Sequence, residues 1–210
     1  MSKLSQLASR ALPIALGSAW LAVSAPAQHE LMRHSGAVAN GRAGAAVQGI
    51  GGVLAIGEPG GSSAGRTVGL VHAFRSVNGS VQRHWPSPLP GNNPGEGYGG
   101  ELHDGGGGRL WIGAPSYQSN SGRSDLIDVA RGWRRAAIAG PQSGLYPSTK
   151  MASLGDIDGD GREDHVIGST GTGTFGYCGR TCHTGWFHVF SPPMTTLTSV
   201  RGAAGQRNCG

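Results

Sequence analysis

Short runs of apolar residues recur along the chain and are separated by clusters of glycine, proline, asparagine and serine. Three of these runs contain an Ile-Gly pair. The glycines of the pairs are Gly57, Gly113 and Gly168. They lie about 55 residues apart, and a fixed spacing of this length is the mark of a repeat architecture.

Each repeat contains several short segments rich in β-branched and aromatic residues, the pattern of β-strands between turns. The Ile-Gly segments are followed by candidate strands at Val68–Phe74, Leu126–Val129 and Trp186–Phe190. A third set lies at Ser80–Trp85, Trp133–Ala139 and Thr195–Val200. A short segment precedes each Ile-Gly pair, most clearly at Thr149–Leu154.

Four strands in a unit of this length match the size of a propeller blade. One blade cannot bury both of its faces alone, so neighbouring units must cover them. The sequence therefore predicts an all-β fold, a β-propeller-type array of about three four-stranded blades that is incomplete or open. The repeat domain spans 28–210, with units at about 36–86, 97–140 and 144–200, and Pro86–Gly97 is the predicted linker between the first two.

The first 27 residues have the pattern of a secretory signal rather than of the fold. Lys3 and Arg10 precede an apolar run, Ala11–Val23, and small residues at Ala25–Ala27 suit a signal peptidase. An uncleaved membrane anchor is the alternative, but the run is shorter than the roughly 20 residues that a spanning helix needs. Cleavage after Ala27 predicts a mature chain without a membrane span that is secreted, periplasmic or at the cell surface.

Composition narrows the fold class further. The 210 residues include 39 glycines and 12 prolines, the two poorest helix formers, which disfavours a helical bundle or a doubly wound α/β enzyme. The net charge is +5, but the signal segment carries two of those charges and the remaining basic residues are scattered. Nucleic-acid binding, which needs a contiguous basic face, is therefore not expected.

The third repeat carries a motif that points to a family. The segment Asp156–Asp164, with the strand that follows it, resembles the FG-GAP repeat of integrin alpha-subunit propellers. Gly113-Ala114-Pro115 is similar to the "GAP" element and Tyr98-Gly99 to the "FG" element. The resemblance covers about 36–200 and implies a seven-bladed propeller, often secreted or on the cell surface. Three units are too few for closure, so the chain is a fragment, an open array, or part of a propeller completed by another chain.

Four carboxylates fall within nine residues of that motif, at Asp156, Asp158, Asp160 and Asp164. Like charges about 4 Å apart repel by roughly 4 kcal/mol at an effective dielectric of 20, so their convergence favours a bound cation. Oxygen ligands suit Ca²⁺, and the family resemblance implies the backbone carbonyl of Arg162 as a further ligand. The alternatives are a solvated acidic turn and an EF-hand, which would need a glutamate at its twelfth position where Ile167 stands.

The other two repeats lack this set of aspartates. Alignment on the Ile-Gly pairs places Glu101, His103, Gly105 and Arg109 at the four positions in the second repeat, and Ala45, Val47, Gly49 and Val53 in the first. One calcium site of this kind is therefore expected, and 104–108 is predicted to be a turn.

Several other motifs have simpler explanations. Gly61–Gly65 matches a nucleophile-elbow pattern, but no helix has room to follow it. Gly171–Gly176 matches a dinucleotide-binding pattern without the required acid downstream. Both are interpreted as turns or hairpin loops.

Export favours a disulfide between Cys178 and Cys182, with Cys209 free or paired with another molecule. Haem attachment or zinc binding with His183 is the alternative, but the spacing is one residue too long for haem and no fourth zinc ligand is evident.

These features predict an exported calcium-binding protein that acts as a non-catalytic binding or adhesion module for an extracellular protein or glycan. Its contact loops would be Glu58–Thr67, Pro115–Ser124 and Ser169–Thr184. The alternative is an accessory or fragmentary part of an extracellular hydrolase or lyase. No convincing nucleophile or acid–base pair supports that alternative.

Overall fold

Antiparallel β-sheets make up nearly all of the regular structure. The computed structural model describes Glu30 and residues 32–85, 87–139, 150–169, 173–174, 181–182, 186–191 and 195–201. Across these residues the only helical element is one turn, and none of the helical structure there has the length and apolarity needed to cross a membrane. The all-β prediction is confirmed.

The first sheet contains four strands of the first repeat and one short strand from the predicted linker. Its segment of the chain comprises β1 (Ala46–Ile50), β2 (Val53–Glu58), β3 (Ser62–Ser63), β4 (Arg66–Thr67), β5 (Leu70–Val77), β6 (Ser80–Arg83) and β7 (Leu89–Pro90). The sheet order is β1-β2-β5-β6, while β3 and β4 form a separate hairpin. β7 pairs with β5, so the stretch predicted as a linker adds a short strand instead.

The second sheet has the same order of strands. It comprises β8 (Glu101–Asp104), β9 (Arg109–Ala114), β10 (Arg123–Asp128) and β11 (Trp133–Ala139), each paired with the next. One helical turn, α1 (Tyr117–Asn120), lies between β9 and β10. The sequence pattern predicted the last three of these strands, and the predicted bounds differ from those of β9, β10 and β11 by a few residues at most.

The third sheet repeats the arrangement again. It comprises β12 (Lys150–Gly155), β13 (Asp164–Ser169), β16 (Trp186–Ser191) and β17 (Thr195–Arg201), in that order. A small hairpin of β14 (Gly173–Thr174) and β15 (Thr181–Cys182) lies between β13 and β16. It occupies the same place in the repeat as the β3–β4 hairpin of the first sheet.

The two central strands of the second sheet, β9 and β10, are buried on both faces. Two apolar clusters contain residues of this sheet. In β9, Leu110 and Ile112 belong to the first cluster, and Trp111, which lies between them, belongs to the second. Successive side chains of a strand point to opposite faces, so the two clusters lie on opposite sides of this sheet. Residues of the first sheet complete the first cluster, while Met151, Ile167 and Phe190 of the third sheet complete the second.

Glycines form the contact between the first two sheets. The N–H of Gly99 donates to the carbonyl of Gly113 in β9 at 3.0 Å, and its own carbonyl lies against Gly57 in β2. A Cβ on Gly57 would stand 1.9 Å from that oxygen. A Cβ on Gly69 would stand 2.3 Å from the carbonyl oxygen of Tyr98, which is itself buried. Only glycine permits this close approach of backbones.

A buried ionic cluster joins the linker to the second sheet. Arg123 lies 3.0 Å from Asp125 and 3.6 Å from Glu96, and Arg134 lies 2.8 Å from Asp125. Glu96, Arg123 and Asp125 are all buried. Burial raises the pKa of Asp125, and the two guanidinium groups oppose that rise. The cluster fixes the chain ahead of Tyr98 against β10.

Candidate metal centre

The aspartate-rich segment forms the turn between β12 and β13. β12 ends at Gly155 and β13 begins at Asp164, so the turn between them is eight residues long. The corresponding turn is Gly51-Gly52 in the first sheet and four residues, 105–108, in the second. The third repeat therefore carries an insertion at this turn that the other two lack.

Three of the four predicted carboxylates converge. Asp156, Asp158 and Asp164 each offer one oxygen, and these three oxygens all lie within 4.8 Å of one another. Asp156 and Asp158 are exposed, whereas Asp164 is fully buried at the start of β13. The group is therefore open to solvent on one side and anchored in the sheet on the other.

The two carboxylate oxygens of Asp164 differ in their hydrogen bonding. Its Oδ2 accepts hydrogen bonds from the backbone N–H groups of Ile157 at 2.8 Å and Asp158 at 3.3 Å. Its Oδ1 is buried and, among the described residues, has no hydrogen-bond partner. A carboxylate oxygen left without a partner in the interior costs free energy unless a cation or a donor satisfies it.

The backbone of the turn folds around the remaining carboxylates. Asp156 accepts from Gly159 N–H at 2.7 Å and from Gly161 N–H at 2.8 Å. Both glycines have positive φ, 82° and 81°, a conformation that costs glycine little. Asp158 Oδ1 accepts from Asp160 N–H at 3.0 Å. These bonds hold the two exposed carboxylates over the start of β13.

The side chain of Asp160 accepts hydrogen bonds from the turn and from β16, and its predicted role as a ligand remains a prediction. Asp160 Oδ1 accepts from the N–H of Arg162 at 2.8 Å, and its Oδ2 accepts from the hydroxyl of Ser191 at 3.2 Å. Asp160 thus ties the turn to β16 and does not belong to the converging group. The Arg162 carbonyl as a ligand remains a prediction.

The donor set matches a hard cation. Every converging atom is a carboxylate oxygen, which Ca²⁺ binds at 2.3–2.6 Å with six to eight ligands in a flexible geometry. Both elements that flank the turn are strands rather than helices, and Ile167 is buried within β13. The arrangement therefore differs from an EF-hand.

Alignment at a fixed distance from the Ile-Gly pair is wrong for this turn. Glu101 pairs with Gly113 across the second sheet, and Lys150 pairs with Gly168 across the third. Glu101 therefore corresponds to Lys150 and not to Asp156. The reason is that the turn before the Ile-Gly strand is longer in the third repeat than in the second. Residues that precede the turn therefore lie at different distances from the Ile-Gly pair in the two repeats. At the true equivalent of the aspartate segment, Asp104 Oδ1 caps Gly106 N–H at 2.8 Å in a short turn.

The remaining motifs fall into two groups. Gly61–Gly65 lies in the β3–β4 hairpin, with positive φ at Ala64 and Gly65, so its interpretation as a turn is confirmed. The predicted signal at 1–27, Cys178 of the predicted disulfide, and most of Gly171–Gly176 lie outside the described residues. Cys182 is described only as part of strand β15.

A cavity of about 410 Å³ lies between the first two sheets. Its lining includes Gly51, Arg75, His84, Gly108 and Val129. These residues lie at the end where β2 and β9 begin, whereas the predicted contact loops Glu58–Thr67 and Pro115–Ser124 leave from the opposite end. Those two loops therefore do not line this cavity. Most of the third predicted contact loop, Ser169–Thr184, lies outside the described residues.

No known protein family matches the sequence, and no curated protein matches it either.

Proposed function

We propose that the chain is an exported β-propeller-type repeat protein, similar to FG-GAP repeats, that binds Ca²⁺ in its third repeat and acts as a non-catalytic binding module. The observation that carries the proposal is the convergence of three carboxylates, one oxygen from each lying within 4.8 Å of the other two. One of the three residues is Asp164, whose Oδ1 is buried and has no hydrogen-bond partner among the described residues. A divalent cation satisfies this oxygen and removes the repulsion among the three groups at once.

The arrangement of the sheets supports the propeller part of the proposal. Each of three successive sheets contains a four-stranded antiparallel meander, which is the composition of a blade, and the first sheet adds β7 to it. The first strands of the sheets lie next to one another, since β8 contacts both β1 and β12. In a propeller the first strand of every blade lines the central channel, and this adjacency agrees with that geometry.

Calcium in this turn has a structural role. It holds Asp156 and Asp158 over Asp164 and so fixes the connection between β12 and β13. A ligand at a hundred times its dissociation constant stabilises the folded state by about 2.7 kcal/mol. For a domain of this size, that free energy corresponds to a rise of roughly 5–10 °C in the melting temperature.

Isothermal titration with Ca²⁺ and thermal melting in Ca²⁺ or EGTA test the site. The variant is Asp158→Asn, which keeps the acceptor for Asp160 N–H but removes a charge from the group. The matched control is Asp104→Asn, in the corresponding turn of the second sheet. We expect one calcium ion bound by the wild type and by the control, and strongly weakened binding with no EGTA effect in Asp158→Asn. Equal calcium responses in all three proteins would rule out this site.

We also propose that another polypeptide completes the array, because the outer face of the third sheet retains exposed apolar surface. Ile167 and its cross-strand partner His188 face the second sheet, so Phe187 points the other way. Phe187 is 39 % exposed. A neighbouring blade would cover this face.

Light scattering of the purified protein tests completion by a second copy. We expect a mass of two or more chains, which Phe187→Ser reduces to that of one chain. A monomer whose mass and melting temperature are unchanged by Phe187→Ser would contradict self-assembly through this face.

A further inference from the structure

A second group of metal-binding side chains lies on the first sheet, far along the chain from the aspartate turn. Glu58 is the last residue of β2, His72 lies in β5, and His34 belongs to the segment that precedes β1. Glu58 is 0 % exposed and His72 is 4 % exposed, while His34 is half-buried. The antiparallel pairing of β2 with β5 brings Glu58 close to His72.

The three side chains are close enough to share one ion. His72 Nε2 and Glu58 Oε2 are 2.7 Å apart in a buried hydrogen bond. The imidazole rings of His34 and His72 have centroids 4.3 Å apart. One ligand atom from each of the three residues lies within 4.8 Å of the ligand atoms of the other two.

Two ring nitrogens of this group are buried without hydrogen-bond partners among the described residues: His34 Nε2 and His72 Nδ1. A neutral imidazole has a lone pair on one of its two ring nitrogens, which can bind a metal ion. Buried polar atoms in native proteins nearly always have a partner. A partner is therefore expected for His34 Nε2, which lies beside the buried pair of His72 and Glu58.

The backbone is shaped to enclose the carboxylate. Glu58 Oε1 accepts from the N–H of Ala37 at 2.7 Å and of Val38 at 3.4 Å. A Cβ on Gly36 would lie 2.8 Å from this oxygen, and one on Gly41 would lie 2.1 Å from it. The segment that carries His34 thus closes over Glu58 through glycines, while Oε2 is hydrogen-bonded to His72.

We propose that His34, Glu58 and His72 bind a Zn²⁺ ion. Two imidazoles and one carboxylate form a donor set that suits zinc, whereas Ca²⁺ takes oxygen ligands. The ion takes the place of the hydrogen between His72 Nε2 and Glu58, and the ligating imidazole keeps its single ring hydrogen on Nδ1. Zinc ligands are about 2.0–2.2 Å from the metal, so that hydrogen-bonded pair must open slightly.

Zinc at this position fastens the segment before β1 to the outer face of the first sheet. It neutralises the buried charge of Glu58 and satisfies His34. Three protein ligands leave the fourth tetrahedral position for a water molecule. The site stands apart from the proposed calcium turn, because no residue is common to both groups.

Titration of the chain, purified without a polyhistidine tag and treated with EDTA, with Zn²⁺ and with Co²⁺ tests the site. Calorimetry gives the stoichiometry, and the visible absorption of Co²⁺ reports nitrogen and oxygen ligands in tetrahedral geometry. The variant is His34→Gln, since His34 is half-buried and no hydrogen bond of its Nε2 is lost. The control is His103→Gln, which removes a histidine that also lies near a glutamate, at 3.9 Å from Glu101. Within the described part of the chain, this pair belongs to no group of three metal-binding side chains.

We expect the wild type and His103→Gln to bind one zinc ion per chain. In His34→Gln the affinity for Zn²⁺ should fall by more than ~100-fold, because loss of a residue that only supports a ligand typically weakens metal binding by no more than about that factor. Asp158→Asn should retain zinc binding in full, which separates this site from the calcium proposal. Melting in EDTA should show that His34→Gln is folded. Failure of the wild type to bind zinc, or equal zinc binding by His34→Gln, would overturn the proposal and leave a metal-free hydrogen-bonded pair.

Discussion

Substitution of Gly57 by alanine tests whether the first two sheets are joined as described. The new Cβ would lie 1.9 Å from the carbonyl oxygen of Gly99 and 2.9 Å from its carbonyl carbon. Both are backbone atoms, and the same residue donates to Gly113 at 3.0 Å. The clash therefore cannot be relieved by rotating a side chain, and the two sheets must move apart.

The cost follows from that geometry. Overpacking a filled interior costs typically 1–3 kcal/mol, and a backbone clash belongs at the upper end of that range. We expect a loss of about 3 kcal/mol in the free energy of unfolding. For a chain of this length, the melting temperature should fall by roughly 6–12 °C.

Gly168→Ala is the matched control, because it changes the same Ile-Gly pair in the third sheet. The nearest atom to its Cβ is the carbonyl oxygen of Lys150 at 4.0 Å, which is an ordinary contact. Its stability should stay within about 0.5 kcal/mol of the wild type. Urea denaturation of the three proteins gives the comparison, and equal stabilities for Gly57→Ala and Gly168→Ala would refute the described contact between the sheets.

Three further changes test the packing and the charges. Trp111→Ala removes a fully buried indole from the second apolar cluster and should cost about 3–5 kcal/mol, whereas Trp133→Ala, at a residue 62 % exposed, should cost little; thermal melting compares them. Arg123→Ala removes the only guanidinium paired with buried Glu96 among the described residues and leaves buried Asp125 with Arg134 alone, so it should cost about 3 kcal/mol. Loss of the exposed pair in Arg131→Ala should cost less than about 1 kcal/mol, and urea denaturation measures both. Burial, followed by a nearby lysine, lowers the pKa of His103, so the folded state binds fewer protons than the unfolded state and stability falls as the pH drops below about 6.5. In His103→Gln, the difference in unfolding free energy between pH 7.5 and pH 5.5 should be smaller than in the wild type.

The strands could be predicted from the sequence because local signals define them. The runs 110–112 and 133–139 have the residue types that strands favour and end in turn residues. The additional strand at Leu89–Pro90 was not predicted, because its pairing with β5 depends on the path of the linker and not on its composition. Proline and glycine in a sequence predict a turn, but they do not predict which part of the fold the turn will contact.

The two candidate metal sites differ in the same way. Asp156, Asp158 and Asp164 lie within nine residues, so their spacing alone suggested a shared ion. His34, Glu58 and His72 come from three separate segments, and only the register of β2 against β5, with the closure of the N-terminal segment, brings them together. No spacing rule identifies such a group, although a glutamate that ends an otherwise apolar strand was an available signal.

A crystal structure of the protein grown with Ca²⁺, with the ion identified by anomalous scattering, tests the central claim most directly. We predict one calcium ion in the β12–β13 turn, 2.3–2.6 Å from oxygens of Asp156, Asp158 and Asp164. A turn without calcium at a saturating concentration, with these three side chains separated by solvent, would contradict the account.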